Sequence, residues 1–76
     1  MSDDMQSLFM QARIIRLASL RWNTSLATVS TILLESGALA YVRESFDYFH
    51  LEGDDAVLDD VEDYLANRGV NVHAHA

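Results

Sequence analysis

The sequence predicts an all-α fold, a compact bundle of four short helices, on three observations. The 76 residues contain no proline, so no rigid residue interrupts a helix. Gly37, Gly53 and Gly69 cut the chain into pieces of helix length. Within those pieces apolar residues recur every three or four positions, the spacing that gathers them on one helix face. A chain of 76 residues has room for one domain. Residues 1–76 read as a single helical domain, with an ordered core over about 5–69.

The first helix runs from about Asp4 to Trp22, and the acids Asp3 and Asp4 suit the positive end of its dipole. Its apolar residues Leu8, Phe9, Met10, Ile14, Ile15, Leu17 and Leu20 go nearly all the way round, whereas a surface helix of a monomer shows one stripe. Two readings stay open: a central helix covered on several sides by its own chain, or one that also meets a second copy. A domain this small buries only about 60% of its unfolded surface. Self-association as a homodimer or higher oligomer is therefore expected, with Phe9, Ile14 and Leu17 as the contact.

Asn23, Thr24 and Ser25 are three successive N-cap candidates for a second helix. Its apolar face is Leu26, Val29, Ile32 and Leu33, and Ser36-Gly37 is its stop. Leu39, Val42, Phe46 and Phe49 give a third helix a regular buried stripe ending near His50-Leu51, with Arg43, Glu44 and Asp47 off it. Asp54 and Asp55 cap a fourth, which runs to about Asn67 and ends at Gly69. Leu58, Val61 and Leu65, flanked by Val57 and Tyr64, form its inner face; Asp59, Asp60, Glu62 and Asp63 point outward. Arg68 complements the dipole at its end. The tail from Val70 to Ala76 has no helical pattern and reads as frayed or extended.

Charge is unevenly distributed. The net charge is −7, from 12 Asp and Glu against 5 Arg. Between Gln6 and Leu34 the only charges are Arg13, Arg16 and Arg21, whereas Glu44 to Asp63 holds nine acids and no Lys or Arg. An acidic surface disfavours nucleic acid, whose phosphates need cations. One reading is a solvated outer face on the last helix, partly neutralised by arginines of the first. The other is an acidic surface, Asp59, Asp60, Glu62 and Asp63, that docks a basic partner protein, with complementary fields speeding encounter. Three arginines interrupt the Met5–Leu34 stretch, so it cannot span a membrane, and the acidic start is unlike a signal peptide. A cytoplasmic location is the expectation.

Few residues are arranged for chemistry. The chain has no cysteine, which removes disulfides and Cys-ligated metals. The Gly53 loop lacks the alternating carboxylates of a calcium-binding EF-hand. Asp47 and His50 share a helix face, but no third ligand or nucleophile accompanies them, and the pair reads as structural. His73 and His75 make a poor metal site. No catalytic, cofactor or metal residue is assigned, no cofactor is expected, and the protein reads as non-enzymatic. Trp22, Tyr41, Tyr48 and Tyr64 are candidates for core, rim or recognition surface. The stretch Ser25 to Leu33 is similar to the second helix of a helix-turn-helix, yet it lacks the Arg, Lys, Asn or Gln that would read bases. A small dimeric helix-turn-helix regulator is the alternative reading.

Asn23-x-Ser25, Gly37-Ala38-x-x-Tyr41, Asp47-x-x-His50 and Val57-Leu58-Asp59-Asp60-Val61-Glu62-x-Tyr64-Leu65 with Gly69 resemble a family of small bacterial proteins of unknown function, over about Leu8 to Gly69. The resemblance implies a short, helical, cytoplasmic protein. Some family members are encoded beside ADP-ribosyltransferase-like, toxin-type proteins, which implies an antitoxin-like or accessory role and a co-encoded toxin as the basic partner. It carries over no catalytic residues. The first two helices here are richer in arginine and less acidic than the family pattern, so a shared partner does not follow from the resemblance.

Overall fold

Ser7, Met10, Ile14 and Ala18, with Trp22 just beyond the helix end, follow one another at three- and four-residue steps along the first helix, and all are buried. That stripe organises the fold. A computed structural model describes residues 3–72 of the chain. Its helices are α1 (Asp3–Arg21), α2 (Leu26–Glu35), α3 (Ala38–Glu44), α4 (Phe46–Phe49) and α5 (Asp54–Asn67). α1 packs against α2, α3 and α5 and so forms the axis of the bundle. Val29 and Leu33 of α2, Val42 of α3, Phe49 of α4, and Val57, Leu58, Val61 and Leu65 of α5 close the core around it.

The fold is all-α as expected, but the described residues form five helices rather than four. The expected third helix breaks at Ser45, where φ is −99° and ψ 13°. Serine is a weak helix former because its hydroxyl competes for backbone groups. Beyond the break Phe46 and Phe49 are both in the core.

The caps explain the other boundaries. Asn23 sits in the left-handed region, at φ 50°, and closes α1: the Thr24 N–H reaches Ser19 O at 3.1 Å. The Ser19 hydroxyl donates to Thr24 O at 2.6 Å. The N-cap of α2 is therefore Ser25 alone of the three candidates, its Oγ accepting the Thr28 N–H at 3.2 Å. At the far end of α2, Gly37 has φ +88°, and a Cβ there would lie 2.9 Å from Tyr64 Oη. Glycine thus suits the positive φ, and a Cβ there would press on that hydroxyl. The N-cap of α5 is Gly53 instead of Asp54 or Asp55, which occupy its first turn. Its C-terminus closes with Gly69 at φ +77° and the Val70 N–H on Leu65 O at 2.9 Å. Val70 packs against the core and Val72 is buried within it, so this part of the expected tail is docked. His73 and His75 lie outside the described residues. Among the described residues no helix is long and apolar enough to cross a membrane.

Candidate functional site

Asp55, Asp59 and Glu62 occur at i, i+4 and i+7, which places them on one flank of α5. The end of α1 meets that flank. Arg21 donates to Asp59 at 2.7 Å, Glu62 at 3.1 Å and Asp55 at 3.3 Å. The Asp59 hydrogen bond, followed by the nearby Glu62 carboxylate, holds the guanidinium pKa above its ordinary value against the opposing effect of burial. The neighbouring Trp22 indole N–H donates to the second Glu62 oxygen at 2.7 Å. One turn before α5 settles into this contact, Asp54 accepts from Arg13 Nε at 3.0 Å. Of the four acids expected to point outward toward a partner, Asp59 and Glu62 are thus engaged within the chain.

Asp60 and Asp63 fall outside that network and border a cluster of tyrosines. Tyr41 and Tyr64 stack with centroids 4.5 Å apart, and Arg68 lies 4.6 Å over the Tyr64 ring. Tyr41 meets the edge of Phe49, and the exposed Tyr48 leans on the same ring. Burial first, then the Asp60 carboxylate, push the Tyr41 phenol above its usual pKa. Glu52 foremost, with Asp60 behind it, does the same for Tyr48. The fields of Asp60 and Glu52 therefore reach both phenols.

A second surface lies along the outside of α1. Phe9, Ala12, Arg13, Arg16, Leu17 and Leu20, with Asp54 opposite, line an open groove of about 630 Å³. Leu8, Phe9 and Leu20 are 57%, 49% and 75% exposed. Of the three residues expected to meet a second copy, Phe9 and Leu17 line this groove. Ile14 does not: it is wholly enclosed in the chain's own core, because it lies on the inner stripe with Met10 and Ala18.

His50 does not pair with Asp47. Its Nδ1 is 3.0 Å from Phe46 O, and since a carbonyl only accepts, that nitrogen carries the proton. Its ring stacks on Phe46 at 5.3 Å, so the imidazole closes the end of α4. Among the described residues no group of three His, Cys, Asp or Glu is placed to hold a metal. The exposed side of α2 presents Leu26, Thr28, Thr31, Leu34 and Glu35, without a cation. The link from Trp22 to Glu62 was not visible in the sequence, since the two residues are forty positions apart and neither belongs to a motif.

Comparison with curated proteins and with solved structures returns no match. A family model does match, over residues 9–68, which covers all five helices apart from the first turns of α1. The chain belongs to the family described as Protein of unknown function (DUF3791).

Proposed function

We propose that this protein is a non-enzymatic helical interaction module, antitoxin-like or accessory in role, that binds a basic partner protein through the outward side of α5. The observation that carries the reading is the division of the acids on that helix. Arg21 neutralises one flank, whereas Asp60 and Asp63 lie outside its network, beside Tyr41, Tyr48 and Tyr64. Carboxylates next to aromatic rings suit arginine or lysine, which gains both an ion pair and a ring face. The stacking of Arg68 on Tyr64 is a contact of this kind made within the chain. A protein with a basic surface is the partner class that the charge pattern fits, and the family resemblance is what suggests one encoded alongside this one.

The test is kinetic. With the basic protein that co-purifies from the native host, the paired reversals Asp60→Lys and Asp63→Lys should slow association by about tenfold at low salt and flatten its salt dependence. An unchanged rate overturns the proposal. Circular dichroism of the same variant should show an intact fold, since among the described residues neither side chain makes a hydrogen bond or ion pair to another helix.

A further inference from the structure

The inner face of α1 is consumed by the core, yet its outer side still carries an apolar stripe. Phe9, Ala12, Arg16 and Leu20 succeed one another at steps of three, four and four residues, and the groove beside them is open. This spacing is that of a helix seam made for another helix. Arg16 is exposed and has no carboxylate partner among the described residues.

We infer that a second copy of this chain fills the groove, its α1 antiparallel to the first, about a two-fold axis between Ala12 and Arg13. The sequence of α1 is self-complementary about that point. Phe9 then faces the second copy's Arg16, and Leu20 faces Met5. Leu20 thus meets an apolar side chain, and the Arg16 guanidinium meets the Phe9 ring. The small Ala12 at the axis lets the helix backbones approach closely. Charge sets the direction: Asp4 lies at the start of α1, and Arg16, which no carboxylate of its own chain holds among the described residues, lies in its second half. An antiparallel pair opposes these signs and aligns the helix dipoles favourably. A parallel pair would instead set Arg16 against Arg16, which costs energy. Isologous contacts of this kind close as a dimer.

The dimer is independent of the partner-binding reading above and is tested separately. The natural chain has no cysteine, so one introduced thiol reports one position. Under mild oxidation Ala12→Cys should cross-link to itself rapidly. Leu20→Cys should not, because its two copies lie about 22 Å apart along the pair, but it should link to a Met5→Cys chain mixed with it. Light scattering should give twice the chain mass. Phe9→Glu should raise the dimer dissociation constant by about 30-fold or more, with the helical circular dichroism retained because Phe9 is half exposed. Self-linking of Leu20→Cys as fast as Ala12→Cys means a parallel pair and overturns the inference. A dimer in which Ala12→Cys fails to link, or a monomer at high concentration, overturns it equally.

Discussion

The Trp22 indole N–H donates to the Glu62 carboxylate at 2.7 Å, which ties the end of α1 to the middle of α5. Trp22 is 1% exposed, so its N–H has no ready access to water, and losing the acceptor leaves a buried donor unsatisfied. Glu62→Ala should therefore cost about 2 kcal/mol, and Trp22→Phe about 1–3 kcal/mol. Glu62→Gln, which keeps an acceptor, should cost less than Glu62→Ala. Urea unfolding followed at 222 nm measures each. A double-mutant cycle giving strictly additive losses would contradict the coupling.

Gly37 and Gly69 separate backbone strain from crowding. Both have positive φ, but only Gly37 faces a neighbour, the Tyr64 hydroxyl at 2.9 Å from its Cβ position. Gly69→Ala should cost about 1 kcal/mol, the left-handed penalty alone. Gly37→Ala should cost about 2–3 kcal/mol, the excess being the crowding. Adding Tyr64→Phe removes the hydroxyl and should return part of that excess. Equal losses at the two glycines would show that the close approach carries no cost.

Arg21 and Arg13 should respond differently to removal. Arg21 holds three carboxylates, and Arg13 a single exposed one. Arg21→Met leaves three like charges on one flank of α5 and should destabilise by about 1–2 kcal/mol at low salt, less as salt screens the repulsion. Arg13→Met should cost no more than about 0.5 kcal/mol. Thermal unfolding at two ionic strengths distinguishes them, and an Arg21→Met loss that grows with salt would contradict the network.

Alkaline pH should weaken the fold through the tyrosines. The chain has no lysine, and Tyr41 holds its proton more firmly when folded, by burial and then by Asp60. The unfolded chain gives up that proton near pH 10, the folded one only above it. Stability from this source is full below about pH 10 and is lost as pH rises through the folded value. Melting temperatures between pH 9 and 11 should fall, and less steeply in Tyr41→Phe. An equal fall in that variant would place the effect elsewhere.

Most of the helical plan was legible because it rests on local spacing. Val29, Leu33, Val42, Phe49, Leu58, Val61 and Leu65 are core residues at the expected positions. α1 was harder: its outer apolar residues masked the inner stripe, which includes the small side chains Ser7 and Ala18. Small buried residues give no periodic signal, and their role emerges only when neighbours pack on them. The break at Ser45 was hidden because the Phe46 and Phe49 stripe continues across it. For the candidate site, the segregation of charge was plain, and so was the option that arginines of the first helix neutralise the last. Which acids they take depends on how the two helices face each other, a long-range property. That arrangement withdraws Asp59 and Glu62 and leaves Asp60 and Asp63 outside the Arg21 network.

The division of α5 into carboxylates held by Arg21 and carboxylates outside its network is tested most directly by two variants of equal net charge. The low-salt association rate with the basic partner should fall severalfold for Asp60→Asn with Asp63→Asn. For Asp55→Asn with Asp59→Asn, whose carboxylates belong to Arg21, it should stay within about twofold of the parent. Equal slowing by both pairs would contradict the account, for it would make the partner sensitive to total charge and not to the carboxylates that Arg21 leaves unpaired.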